Sequence, residues 1–239
     1  MTAVAPALEL IDVHAGYGRI EVLRGVSLTV PAGCVFALLG PNGAGKTTTL
    51  KTVDGRVPTT AGCIHVAGRH VNGAGTDDLA RAGVCAVPEG RGIFPNLTVA
   101  ENLRMMTYAI PGLSWKDAQE RAYARFPILG ERRGQLAGTM SGGQQQMLAV
   151  ARVIVTDPPL LLVDELSMGL APMIVADLYD VLRQLAAEGM SILLVEQFAR
   201  TALQIADYAA LLSQGRVAHV GEPADLIDMI NASYLGASA

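Results

Sequence analysis

The sequence predicts an α/β protein with a mostly parallel sheet, an N-terminal antiparallel β subdomain and an inserted helical subdomain. The runs Leu160–Val163 and Ile192–Val195 are apolar at every position, as expected of parallel strands that helices cover on both faces. Between them, apolar residues from Ile174 to Leu185 recur on one helix face, and Gly189 ends that helix. A strand, a helix and a second strand in this order form the repeating unit of a parallel sheet.

The composition excludes several classes of protein. The chain has 239 residues, of which 51% are hydrophobic and only 17% are charged, which excludes disorder. Its 18 basic and 22 acidic residues give a net charge of −4, which is poorly suited to holding nucleic acid. Arg152 and Asp157 interrupt the longest apolar stretch, so we expect no membrane span. Residues 1–10 lack the features of a signal peptide, which favours the cytoplasm.

Short runs of apolar and β-branched residues predict the strands in order along the chain. The first two runs bracket Gly16-Tyr17-Gly18, a turn typical of antiparallel strands, and therefore predict the N-terminal β subdomain. The predicted strands are Leu8–Val13, Val22–Val30, Cys34–Leu39, Cys63–Ala67, Gly83–Val87, Leu160–Val163, Ile192–Val195, Tyr208–Leu212 and Arg216–Val220.

The middle of the chain has a helical pattern instead. Helices are predicted at Val99–Tyr108 and Ser114–Phe126, in a stretch that Pro95, Pro111 and Pro127 break. With the later helix Gln145–Val155, this stretch predicts a helical subdomain over about residues 91–155. No linker divides the sequence, so we expect one domain over residues 1–239.

A glycine-rich segment follows the predicted strand Cys34–Leu39 directly. It is Gly40-Pro41-Asn42-Gly43-Ala44-Gly45-Lys46-Thr47, which fits the phosphate-binding pattern GxxxxGK[ST] in the strand context that this pattern requires. The glycines let backbone N–H groups point at phosphate oxygens, Lys46 reaches the β and γ phosphates, and Thr47, beside Thr48, offers its hydroxyl to Mg²⁺. A glycine-rich turn without phosphate binding is the alternative. The motif predicts a P-loop NTPase core.

Two adjacent acids, Asp164 and Glu165, end the apolar strand Leu160–Val163. Acids at the carboxyl end of such a strand face the ligand crevice. We expect Asp164 to hold Mg²⁺ through water and Glu165 to polarise the water that attacks the γ-phosphate. A solvated acidic turn is the alternative.

The segment Ser141-Gly142-Gly143-Gln144 precedes the helix Gln145–Val155 and forms a second candidate anion site. Taken alone, the segment is better explained as an ordinary helix cap. Together with Met140, however, it resembles the signature of ATP-binding cassette (ABC) proteins, and it lies between the phosphate loop and the paired acids in the order that this family shows. The resemblance covers essentially the whole chain.

The family pattern implies roles for further residues. Tyr17 matches the aromatic residue that stacks on adenine, although a packing role is the alternative. Glu89 stands where the family usually has a glutamine that touches Mg²⁺ or the attacking water and signals to the membrane partner; a carboxylate accepts hydrogen bonds without donating them. Gln197 occupies the place of the switch histidine and cannot titrate near neutral pH. Ser167–Leu170 resembles the loop that passes between two subunits.

Five segments together resemble one ATPase subunit of high-affinity branched-chain amino acid importers, with urea and short-chain amide importers as similar alternatives. These are residues 87–91, 96–103, 138–143, 169–172 and 195–197. The resemblance implies an ATP-hydrolysing subunit with ATP and Mg²⁺ as ligands. It would lie at the cytoplasmic face of the membrane, bound to permease transmembrane subunits and working indirectly with a solute-binding protein.

The single phosphate loop and single signature imply a head-to-tail dimer with a second copy or a sister subunit. The apolar residues Ile93, Phe94 and Leu97 are a candidate seat for the permease, with subdomain core as the alternative. Two other functions remain open. One is a soluble cassette ATPase acting on nucleic acid or ribosomes, which would favour tandem cassettes or a basic surface, and this sequence has neither. The other is a P-loop kinase or GTPase, which would leave the Ser-Gly-Gly-Gln helix start unexplained.

Overall fold

The structure, a computed structural model, describes residues 5–90, 92–108 and 112–227. Arg91, Pro111 and the ends of the chain, which the predicted domain limits include, lie outside the described residues. In chain order the elements are β1 (Leu8–Tyr17), β2 (Ile20–Val30), β3 (Val35–Leu39), α1 (Lys46–Val53), β4 (Thr59–Val66), β5 (Arg69–His70), α2 (Thr76–Arg81), β6 (Val84–Val87), α3 (Val99–Thr107), α4 (Trp115–Arg125), α5 (Pro127–Glu131), a 3₁₀ turn (Ala137–Thr139), α6 (Gly142–Ile154), β7 (Leu160–Asp164), α7 (Pro172–Ala187), β8 (Ser191–Glu196), α8 (Ala199–Leu203), β9 (Tyr208–Ser213) and β10 (Arg216–Gly221).

The strands form two sheets. The first has four antiparallel strands in the order β2-β1-β4-β5, and the second has six in the order β10-β9-β3-β8-β7-β6. In the second sheet β9, β3, β8, β7 and β6 pair in parallel, and β10 alone pairs antiparallel, with β9. The carboxyl ends of the five parallel strands therefore meet at one edge of the sheet. This arrangement confirms the predicted fold class.

Strand β3 separates two hydrophobic cores. Val35, Ala37 and Leu39 face a core that includes residues of α3–α7. Phe36 and Leu38 face the other core, which joins the parallel sheet to the antiparallel sheet. Burial of both faces explains why the strand lacks alternation, and each fully buried leucine contributes about 1.5–3 kcal/mol to folding.

Helices α3–α6 lie between β6 and β7 in the chain, as the predicted insertion requires. Polar caps fix where they begin: Thr98 and Glu101 form a capping box at α3, and the Ser114 hydroxyl accepts a hydrogen bond from the backbone of Asp117 at α4. Within the described part of the chain, no helix is long and apolar enough to cross a membrane.

The structure corrects several predicted boundaries; β4, for example, begins at Thr59 and not at Cys63. Strand β1 continues beyond Val13 to Tyr17, because register shifts and a positive φ at Asp12 (49°) interrupt the alternation that marks a strand in sequence. Helix α6 begins at Gly142 and not at Gln145, since Ser141 caps it and the two glycines, which are poor helix formers, occupy its first turn.

Candidate functional site

Four neighbouring strands bring most of the predicted site residues to one edge of the parallel sheet. The phosphate loop follows β3, Glu89 follows β6, Asp164 ends β7 with Glu165 next to it, and Gln197 follows β8. Lys46, Thr47, Glu89, Glu165 and Gln197 line one cleft there. The cleft is also lined by Val22, Asn42, Gly43, Gly45, Thr48 and Met168.

The phosphate loop packs closely against its neighbours. A Cβ atom at Gly40 would lie 2.3 Å from the Leu212 carbonyl oxygen, and one at Gly45 would lie 2.9 Å from the Leu23 side chain. Glycine is therefore required for this close approach. No side chain caps α1, whose first N–H groups have no acceptor within the helix and give this end a partial positive charge. The loop can therefore bind an anion at the start of α1.

The Lys46 side chain folds back against the phosphate loop that precedes it. This side chain is only 4% exposed. Its Nζ donates hydrogen bonds to the carbonyl oxygens of Gly40 at 3.0 Å and Pro41 at 3.4 Å, and it lies 3.7 Å from Oε1 of Glu165. The ammonium group is thus held between the phosphate loop and the paired acids.

Thr47 and Asp164 join α1 to β7. The Thr47 hydroxyl donates a hydrogen bond to Oδ1 of Asp164 at 3.1 Å. Burial raises the pKa of the Asp164 carboxyl, the Thr47 hydrogen bond lowers it, and the nearby carboxylates Glu165 and Glu89 raise it further. A hydroxyl and a buried carboxylate in contact form a pair of oxygen ligands suited to a hard cation.

Glu165 has an uncommon backbone conformation. Its φ is 46°, in the left-handed region that residues other than glycine rarely adopt. Its N–H donates to the Val195 carbonyl at 2.9 Å, so β8 helps to hold this conformation. Such strain is frequent at functional sites.

Glu89 lies between two cavities. Besides the phosphate-loop cleft, it lines a groove that opens toward the helical subdomain, and Glu165 and Met168 also line both. The other residues of this groove are Gly90, Ile93, Pro95, Gly138, Gln145 and Gln146.

The three apolar residues that the sequence suggested as a permease contact differ in how far they are buried. Ile93 packs on the core, whereas Phe94 is 43% exposed and its ring lies 4.7 Å from the Arg152 guanidinium. Leu97 is partly buried. Ile93 is therefore explained by packing in the subdomain core, whereas Phe94 lies at the surface beside the groove.

Tyr17 and the segment Ser141–Gln144, both predicted to bind ATP, are not among the described residues that line this cleft. Tyr17 ends β1 and is 48% exposed, but it is not among the residues that line the cleft. Ser141, Gly142, Gly143 and Gln144 do not line it either. The Ser141 hydroxyl accepts from the Gln144 N–H at 3.3 Å, and the Gln144 side chain accepts from the Ser141 N–H at 3.2 Å. Within one chain this segment serves as a helix cap.

Asn102 and Glu196 are among the buried polar residues that were not singled out from the sequence. Asn102 in α3 exchanges hydrogen bonds with the Phe94 backbone and so fixes the turn before that helix. Glu196 ends β8 and is 1% exposed. An acid at the end of an apolar strand is the same signal that marked Asp164, and it could have identified Glu196 as well.

A phosphate loop after a central parallel strand, with paired acids two strands away, defines a P-loop nucleotide-binding protein. Comparison with known sequences is more specific. Residues 23–167 match the ABC transporter family. The high-affinity branched-chain amino acid transport ATP-binding protein BraG of Pseudomonas aeruginosa is 40% identical over 231 residues, which are 96% of this chain and 99% of BraG.

Other relatives agree. The probable branched-chain amino acid transport ATP-binding protein LivF of Archaeoglobus fulgidus is 33% identical, over 92% of this chain and 94% of LivF. A solved ATP binding subunit of an ABC transporter is 30% identical and superposes with a TM-score of 0.82 over 94% of this chain and 93% of its own. The chain belongs to the ABC transporter family, as its signature segment predicted.

Proposed function

We propose that this chain is the ATP-hydrolysing subunit of an importer for branched-chain amino acids. The observation that carries the proposal is the convergence of Lys46, the Thr47–Asp164 pair and Glu165 at the edge of the parallel sheet. These groups provide a cation for phosphates, oxygen ligands for a metal and a carboxylate base, which ATP hydrolysis requires.

The residues at this edge fit ATP with Mg²⁺. Residues 40–48 would surround the phosphates with N–H groups and the Lys46 ammonium, and Thr47, Asp164 and Glu89 would hold Mg²⁺. The fit rests on the donor set, because Asp164 is a buried carboxylate that contacts a hydroxyl and lies near further acids. When bound, Mg²⁺ neutralises charge that develops on the transferring phosphoryl group.

The chain's own residues would then carry the hydrolytic step. The Glu165 carboxylate accepts a proton from the attacking water as the water oxygen bonds to the γ-phosphorus and the bond to the ADP oxygen breaks. Gln197 donates a hydrogen bond to the γ-phosphate from its side-chain amide. Glu89 accepts a hydrogen bond from the attacking water. Because Glu89 lines both cavities, a change in its position on ATP binding or hydrolysis would also alter the groove beside the helical subdomain.

A second subunit would complete the site. Ser141, Gly142, Gly143 and Gln144 lie outside the cleft of their own chain, so we propose that they bind the γ-phosphate held by the phosphate loop of a second copy or of a sister subunit. Their helix start keeps N–H groups free for an anion. Tyr17, at the exposed end of β1, would stack on adenine.

The transported solute and the membrane partners follow from the relatives. BraG and LivF are both named for branched-chain amino acid transport. We propose the same solute class here, with the chain held at the cytoplasmic face of the membrane by permease subunits. A solute-binding protein would act through those permeases.

Reconstitution tests this function. The chain is assembled in liposomes with its partner permease and solute-binding protein, and ATP-driven uptake of leucine and of urea is measured. We expect leucine uptake that stops when Lys46→Ala replaces the wild-type chain. Uptake of urea without leucine would contradict the proposed solute, and recovery of the chain with ribosomes instead of permeases would contradict the proposed class of function.

A further inference from the structure

Glu196 is a buried acid for which the hydrolytic step has no use. It ends β8 directly before Gln197, and it is 1% exposed. Among the described charged residues, its electrostatic neighbour is another acid, Glu165. Burial of a carboxylate without a cation costs free energy, and apolar residues commonly fill such a position at lower cost.

Both oxygens of this carboxylate accept hydrogen bonds. Oε1 accepts from the Ser167 backbone N–H and from the Tyr179 hydroxyl, each at 2.9 Å. Oε2 accepts from the Ser167 hydroxyl at 2.8 Å. Three donors converge on one side chain, and an ionised carboxylate, which is purely an acceptor, suits all of them.

These contacts fix the chain just beyond Glu165. Ser167 is held through both its backbone and its side chain, while the Glu165 N–H is held by Val195, the residue before Glu196. The segment 165–167 is therefore attached to the end of β8 at two points. The left-handed φ of Glu165 needs such support, since its surroundings must impose it.

Glu196 also connects this segment to two other elements. Tyr179 is a buried residue of α7, the helix that follows the Ser167–Leu170 loop. Gln197, on the other side of Glu196, lines the phosphate-loop cleft. Because Ser167 and Tyr179 bond to the Glu196 carboxylate and Gln197 is the next residue, a displacement of one of them would move the others through Glu196.

We propose that Glu196 is a positioning residue that holds Ser167 and thereby keeps Glu165 in its working conformation, linked to Gln197. The inference rests on the proposed role of Glu165 as the base of ATP hydrolysis. Glu196 itself lies buried beneath the loop and touches no reacting atom.

Steady-state ATPase kinetics of paired variants test the proposal. Ser167→Ala removes the hydroxyl contact, and Glu196→Gln removes the negative charge to which Ser167 and Tyr179 donate. We expect each to lower kcat by about tenfold, with KM for ATP changed by less than about twofold, because small displacements of a catalytic group cost rate more than binding. The double variant should lose little more than either single variant, since both changes weaken the same contact between Ser167 and Glu196.

Ser191→Ala is the matched control. Ser191 lies at the opposite end of β8, where its buried hydroxyl accepts a hydrogen bond from the Gly33 N–H at 2.9 Å. This variant should lower Tm about as much as Ser167→Ala and leave kcat unchanged. If Ser167→Ala and Glu196→Gln lower Tm but leave kcat unchanged, as the control does, the positioning role is wrong. It is also wrong if their effects on kcat are fully additive.

Hydrogen exchange tests the same claim without ATP hydrolysis. In Glu196→Gln, backbone amides of residues 165–170 should exchange about tenfold faster or more, with α1 unaffected, and Ser191→Ala should leave this segment unchanged. Unaltered exchange overturns the inference. If instead Glu165→Gln hydrolyses ATP at the wild-type rate, the proposed base is wrong, and hydrogen exchange alone decides whether Glu196 holds the segment.

Discussion

Glu165 is the residue on which the proposed chemistry depends most. Replacement by Gln keeps the size of the side chain and its hydrogen bonding but removes its basicity. Turnover should therefore fall by about 10²- to 10⁴-fold, the range for loss of a general base, while ATP still binds. Rapid-quench hydrolysis and a separate ATP titration measure the two effects. Loss of affinity with little change in turnover would contradict the assignment.

Lys46 should behave in the opposite way. Lys46→Ala removes the buried cation between the phosphate loop and Glu165, so nucleotide binding itself should weaken, by at least about tenfold for a charged contact to phosphate. Isothermal titration with a non-hydrolysable ATP analogue measures the affinity. Lys116→Ala, which removes an exposed lysine on α4, is the control and should bind as the wild-type chain does.

Asp164 should lower the stability of the nucleotide-free protein. Burial raises its pKa, so the folded state binds the proton more tightly than the unfolded state, and stability falls as the pH rises between the two pKa values. Near neutral pH, Asp164→Asn should therefore unfold at higher temperature, by a stabilisation of about 0.5–2 kcal/mol. The gain should shrink as the pH is lowered through the raised pKa. A lower Tm for Asp164→Asn at neutral pH would show that the buried charge is compensated.

Among the elements, the link from β6 to the helical subdomain carries the proposed coupling. Glu89, just after β6, lines both the phosphate-loop cleft and the adjoining groove. Glu89→Gln should change the ratio of permease-stimulated to basal ATPase rate by about fivefold or more. The assay compares the chain alone with the reconstituted transporter. Glu120→Gln on the outer face of α4 is the control, and an unchanged ratio in both variants would remove Glu89 from the coupling path.

The elements predicted well from sequence are those with a continuous local signal. Strand β3 is apolar throughout, as are Leu160–Val163 of β7 and Ile192–Val195 of β8, and the phosphate loop and Asp164-Glu165 are consecutive residues in that context. Helix α2 lacked such a signal because Leu79 is its one buried residue. The support of Glu165 could not be predicted either, since Ser167, Tyr179 and Glu196 belong to three different parts of the chain and meet only in the folded structure.

At the scale of the whole molecule, the proposed function requires two chains. The phosphate loop and Glu165 share one cleft, whereas Ser141–Gln144 cap α6 and are not among the residues that line it. The first two N–H groups of α6 belong to Gly142 and Gly143, where a carboxylate would repel phosphate and fill the space an anion needs. Gly142→Asp should therefore inactivate the site to which this segment contributes, which in the proposed dimer is the site of the other subunit.

Mixing two inactive variants tests this shared site most directly. Lys46→Ala spoils the phosphate loop and Gly142→Asp spoils the signature, so each variant alone should hydrolyse almost no ATP. In a mixed dimer, one site has both defects and the other has none. An equal mixture should therefore recover roughly a quarter of the wild-type rate, because half of the dimers are mixed and each retains one complete site. A mixture as inactive as its two components, beside an active wild-type chain, would show that the site is not shared between subunits.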